Sequence, residues 1–172
     1  DIKAFHGTTS SFDIFRKDVK ARTGHPSASM GFFFGEYEAQ AALFNREHSD
    51  TPFADWSKFP PADGARMINA FLNLKNPKIL SYTQWTELMV TPEYELRTPE
   101  EYKSLSDSIE AEGFDGVKIE SAASRYYKGS GMEEYLGDTY IVFRPNQIKS
   151  ADPVTRDDSG NIIPLSQRFN PE

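Results

Sequence analysis

Residues Gly31 to Phe44 read GFFFGEYEAQAALF. Three phenylalanines stand in a row between two glycines, in a chain that is only 38% hydrophobic. A strand buried on both faces takes such a run, and so does a pocket that grips a flat ring. Strand side chains alternate, so if Phe33 faces a pocket, Phe32 and Phe34 face the core. The stretch from Glu36 to Arg46 then reads as a helix, because Tyr37, Ala41 and Phe44 fall at i, i+4 and i+7 on one face.

Working outward, 172 residues suit one domain with a normal core. An aromatic content of 13% argues against disorder. The absence of cysteine excludes disulfides, thiolate metal sites and a cysteine nucleophile, and leaves the redox compartment open. His6, His25 and His48 are not spaced as a metal cluster, and no metal is expected. The net charge of −7 removes an overall basic footprint for nucleic acid and suits a basic partner such as an inhibitor protein. No apolar run reaches the roughly 18–20 residues of a membrane span. The first residues, DIKAF, carry neither an initiating Met nor a signal-peptide pattern, so the chain reads as a piece of a longer polypeptide.

Ile2 to Phe5 alternates and reads as a strand ending at His6-Gly7. Val19 to Met30 is polar with Gly and Pro, hence a loop, as is Ser49 to Gly64. Ile68, Ala70, Leu72 and Leu74 alternate on one side of the longest strand signal, which Asn76-Pro77 ends. The next firm element is a helix from Thr98 to Gly113. Thr98 is its N-cap, Pro99 its first residue, Glu101 completes a capping box, and Tyr102, Leu105 and Ile109 form its apolar stripe. Strands follow at FDGVKIE and TYIVF, with a long loop from Ser121 to Asp138 between them and a short last strand at QIKSA. Many short strands with few helices predict an α+β fold. Residues 1–151 form the expected domain, and 152–172 an extension or tail.

The phrases FHGT, GFFFG, LNLKNP, GFDGV and FRPNQIKSA occur in an order that resembles the ADP-ribosyltransferase domains of phage and mobile-element polyvalent proteins. These belong to the His–Tyr–Glu, diphtheria-toxin-like branch. The resemblance runs from Phe5 to about Ala151. It implies two small packed antiparallel β-sheets forming an NAD cleft flanked by a few helices. It also implies that NAD is the co-substrate and that His6 bonds the nicotinamide-side ribose, with Gly7 holding the carboxamide through its backbone and Thr8 lining the adenosine side. Phe33 falls on the family's tyrosine, without the hydroxyl but with the stacking face, and Phe44 stacks on the other side of the ring. Ala41 stands where the family often has a carboxamide-binding serine.

The chain departs from the pattern at the glutamate, whose position is Thr139. Asp138, Gln147, Glu133 and Glu134 are alternative polar groups for that role, and the choice among them stays open. Arg125, Tyr126, Tyr127 and Lys128, with Glu133 and Glu134, lie on the loop where this fold recognises its acceptor. Basic residues beside aromatics suit a nucleic acid or an acidic protein patch equally. Each pick has a plainer reading: His6 as a strand-end histidine, Phe44 as core, Gln147 as a turn residue, and the Arg125–Lys128 group as a solvated loop.

The resemblance thus implies a mono-ADP-ribosyltransferase, a pentosyl transferase, acting as a toxin or effector. Its acceptor is a macromolecule, protein or structured RNA, and the acidic net charge suits a cognate immunity or inhibitor protein as a further partner. A monomer with no membrane association is expected, acting in the cytoplasm of a target cell as a domain of a larger secreted, injected or phage-encoded polypeptide. The alternatives are an NAD glycohydrolase that depletes NAD, or a module that binds NAD or a partner without catalysis.

Overall fold

The computed structural model describes residues 1–9, 15, 25–46, 58–121, 136–151, 155–156 and 162–163. Its strands are β1 (Ile2–Thr8), β2 (Phe32–Gly35), β3 (Arg66–Leu72), β4 (Lys78–Leu80), β5 (Gly116–Ile119), β6 (Thr139–Val142), β7 (Ile148–Ser150), β8 (Thr155–Arg156) and β9 (Ile162–Ile163). Its α-helices are α1 (Glu38–Ala42), α2 (Tyr82–Met89) and α3 (Pro99–Ala111). Among the described residues no helix is long and apolar enough to cross a membrane.

β1 to β7 form one sheet in the order β4-β5-β6-β2-β1-β3-β7, while β8 and β9 pair separately within the expected extension. The α+β class therefore holds, but the two expected antiparallel sheets are halves of a single mixed sheet in which β4 and β5 run parallel. The halves meet at one position. β1 pairs β2 only at Phe5–Gly35, whereas β1 pairs β3 at every residue from Ile2–Leu72 to Thr8–Arg66. That single link is what opens a split in the middle of the sheet.

Alternation sorts the core as the sequence predicts. Phe34, with Phe32 packed alongside, joins Ala4, Phe15, Ala70, Leu72, Tyr140, Val142 and Ile148 on one face. Phe33 turns to the other face, against a second cluster built from Val117, Ile119 and Ile141 of the strands and Tyr102 and Ile109 of α3. The α3 capping box forms as read, with the Glu101 amide donating to Thr98 Oγ1 and Glu101 Oε2 accepting from the Thr98 amide. Gly113 takes φ +95°, the left-handed stop that glycine permits. The predicted helix after β2 is shorter than expected: α1 ends at Ala42 and Leu43–Asn45 continues as a 3-10 turn. Its next residue, Arg46, pairs back to Pro61 in an extended conformation.

β4 and α2 were not anticipated. A cap signal was present in the sequence, since Ser81 and Gln84 form a capping box at the start of α2. α2 has no fully buried residue of its own. It is held by Trp85, Leu88 and Met89 against the second cluster and by the Tyr102 hydroxyl, which donates to the Met89 carbonyl at 2.6 Å.

Three of the quoted phrases interlock at Asp115. Its carboxylate accepts from the amides of Lys75 (2.6 Å) and Asn76 (3.0 Å), and its carbonyl accepts from Gln147 Nε2 (2.7 Å). Gln147 Oε1 in turn accepts from the amides of Phe143 and Arg144. LNLKNP, GFDGV and FRPNQIKSA are thus one hydrogen-bonded joint, made from chain segments that sequence order keeps apart.

Candidate functional site

The site is built around the split between β1 and β2. Continuing the Phe5–Gly35 register would set His6 opposite Phe34 and Gly7 opposite Phe33, and no such pairing is made. The His6 ring reaches across instead, with Nδ1 2.7 Å from the Phe33 carbonyl oxygen. A carbonyl only accepts, so Nδ1 carries the hydrogen. The ring packs edge-on to Phe15 and tilted against Phe34, with centroids 5.3 Å away in each case. Burial lowers the His6 pKa, against the opposing pull of the Phe33 carbonyl. The imidazole is therefore neutral at pH 7, and its Nε2 is a hydrogen-bond acceptor.

On the opposite face of β1, the carbonyl of Ala41 in α1 lies against Gly7. A Cβ on Gly7 would sit 2.8 Å from the Ala41 carbonyl carbon, and nearer still to its oxygen. Gly7 is thus required first by helix packing, a reason distinct from the close ligand approach expected of it. Ala41 is buried and contributes this carbonyl, and its methyl adds no polar group. Thr8 is the last residue of β1 and half-buried.

Phe33 is half-buried at the edge of the second core, with the Trp85 ring 6.1 Å from its own. Trp85 is a neighbour that the sequence did not suggest, since α2 itself was missed. Phe44, in the turn after α1, is 45% exposed, so it is not a core residue.

Thr139 begins β6 and pairs with Gly35. Its Oγ1 accepts from Gln40 Nε2 at 3.0 Å, and the same nitrogen donates to the Gly137 carbonyl at 3.0 Å. Gln40 was not singled out from the sequence; the available signal was a polar residue in the middle of the apolar helical face. Asp138, the alternative carboxylate beside Thr139, is already engaged. Its carboxylate bonds Lys118 Nζ at 2.8 Å and the Ser121 amide at 2.9 Å, while its backbone is tied to Glu36 in both directions. Being next to Thr139 in an extended segment, its side chain turns the other way. Asp138 clasps the base of the 121–138 loop. The Lys118 pKa is raised, chiefly by its hydrogen bond to Asp138.

Gln147, expected as a possible catalytic group, is engaged in the turn after β6. It is buried, and its amide is spent on Phe143, Arg144 and Asp115. Arg125, Tyr126, Tyr127, Lys128, Glu133 and Glu134 lie outside the described residues. Among the described residues no group of three or more His, Asp or Glu is placed to hold a metal ion.

The described residues thus supply a neutral histidine on β1, a half-buried phenylalanine on β2, an exposed one after α1 and a hydroxyl at the start of β6. A family model described as ADP-Ribosyltransferase in polyvalent proteins matches residues 2–156. No curated protein and no solved structure matches the chain.

Proposed function

The chain belongs to the family of ADP-ribosyltransferases in polyvalent proteins, and from that premise we propose that it cleaves NAD, releases nicotinamide and transfers ADP-ribose to a macromolecular acceptor. The observation that carries this reading is the His6 bridge across the split, which sets the ring hydrogen on Nδ1 and supports a ribose-binding role for the neutral imidazole. Cleavage breaks the bond between the ribose C1′ and the nicotinamide nitrogen. The electron pair leaves with nicotinamide, and C1′ becomes oxocarbenium-like, as in glycoside cleavage. Holding the ribose and the leaving ring in place is most of the task, and a neutral histidine, with Phe33 and Phe44 on the ring, supplies it. The acceptor then bonds to C1′.

In this reading residues 1–151 are the catalytic unit and 152–172 an extension. The domain acts as a toxin or effector module in the cytoplasm of a target cell, on a protein or structured RNA, as a monomer. A net charge of −7 supports a basic cognate inhibitor.

The test is incubation of the protein with NAD labelled in the adenylate and a total cell extract. Transfer gives labelled macromolecule sensitive to protease or ribonuclease, and His6→Ala abolishes it. A His6→Ala protein that labels at the wild-type rate sinks the assignment. Thr139 supports a second reading, because a hydroxyl supplies no negative charge to activate an acceptor. Free labelled ADP-ribose without labelled macromolecule then identifies an NAD glycohydrolase, and no nicotinamide release at all identifies a binding module.

A further inference from the structure

Gln40 is a buried amide, 8% exposed, held in a slot that two glycines create. A Cβ on Gly35 or on Gly137 would lie 2.8 Å from Gln40 Oε1, so a side chain at either position displaces it. Both Nε2 hydrogens are used, one on the Gly137 carbonyl and one on Thr139 Oγ1. The amide cannot be turned over, because an oxygen in the place of Nε2 would set two acceptors against each other at Gly137. Oε1 is left buried without a hydrogen-bond partner among the described residues. An orphaned buried acceptor is a cost that a leucine or methionine in the same slot would avoid. What a glutamine adds there is a pair of donated bonds, to the Gly137 carbonyl and to the Thr139 hydroxyl.

We propose that Gln40 is a positioning residue that makes the Thr139 hydroxyl a proton donor toward the cleft. A hydroxyl that accepts from Gln40 directs its own hydrogen away from Nε2. Where the resemblance puts a carboxylate that accepts from the substrate, this chain presents a fixed neutral donor. Its partner is a sugar oxygen of the NAD substrate. The inference rests on the transferase reading above, and it extends it by reversing the hydrogen-bond polarity at one position.

Nicotinamide release, measured as kcat and KM for NAD, tests it in Thr139→Val, Gln40→Glu and the double variant, with thermal unfolding followed alongside. Gln40→Glu keeps the shape. A carboxyl buried against the Gly137 carbonyl is protonated and donates there, and the same oxygen, standing where Nε2 stood, has only a lone pair left for Thr139, so it accepts from that hydroxyl and turns it round. Each single change is expected to lower kcat about tenfold with KM changed less than about threefold, the worth of one neutral hydrogen bond. The double variant is expected to be no worse than Thr139→Val alone. Thr139→Ser, which keeps a hydroxyl, recovers most of the Thr139→Val loss, and this comparison stands even where Gln40→Glu does not fold. Losses that multiply in the double variant, a folded Gln40→Glu with wild-type kcat, or equal losses in the Ser and Val variants overturn the proposal while leaving the transferase reading intact. A wild-type protein that releases no nicotinamide removes both.

Discussion

Gly7→Ala separates two reasons for one glycine. An added methyl carbon would lie 2.8 Å from the Ala41 carbonyl carbon, inside the 3.0 Å that real Cβ atoms keep. The obstacle is helix backbone, so no side chain can swing away. Either β1 or α1 must shift by about 1 Å to clear the carbonyl oxygen, and overpacking of this kind costs about 1–3 kcal/mol. For a chain of this size each 1 kcal/mol lowers Tm by about 2–4 °C, so a drop of about 2–12 °C is expected by calorimetry. The same shift moves His6 and α1 relative to each other, and misplacement approaching 1 Å costs up to about 100-fold in rate. Nicotinamide release should therefore fall further than unfolding alone explains, measured well below Tm. Gly113→Ala is the control: nothing lies within 4 Å of its Cβ position, and φ +95° leaves backbone strain as the sole cost. A Gly7→Ala protein with unchanged Tm and unchanged turnover refutes the packing argument.

Lowered His6 and His25 pKa values give stability a pH dependence of known sign. The unfolded chain takes up protons near pH 6.5 that the folded rings refuse until lower pH, so stability is full above about pH 6.5 and is lost as pH falls below it, by at most about 1.4 kcal/mol per pH unit for each group. His6→Gln should flatten part of that slope in denaturant titrations between pH 7 and 5; an unchanged slope contradicts the buried neutral ring. Gln147→Ala removes partners from Phe143, Arg144 and Asp115 and should cost about 3 kcal/mol in urea unfolding. If it instead keeps wild-type stability and loses turnover, Gln147 is catalytic after all. Phe44→Ala, at a site 45% exposed, should leave Tm within about 2 °C and raise KM for NAD about threefold to tenfold, the worth of one ring contact; a cooperative loss of stability would place Phe44 in the core.

Much of the fold was legible because its signals are local. The Thr98–Glu101 cap, the Gly113 stop and the alternation of Phe32, Phe33 and Phe34 each depend on neighbours within a few residues, and each formed as read. Reading failed where the deciding contact was remote. Gln147 looked like a spare polar group until Asp115, 32 positions away, took its amide. Asp138 looked like a substitute carboxylate until Lys118 and Ser121 claimed both its oxygens. α2 carries a cap but no fully buried residue, so its place depends on a surface supplied by α3 and the sheet.

The α+β class, the family and the places of His6, Phe33 and Thr139 along the chain were legible in order and pattern, because caps, alternation and ordered short motifs are properties of adjacent residues. What those residues touch was set by the folded arrangement. It opened the split at Phe5–Gly35 and set the His6 hydrogen on Nδ1 by presenting the Phe33 carbonyl. It also brought Gln40 to Thr139 across 99 positions. A hydrogen bond is fixed by distance and direction in space, and strand pairing alone sets both for residues so far apart in the chain.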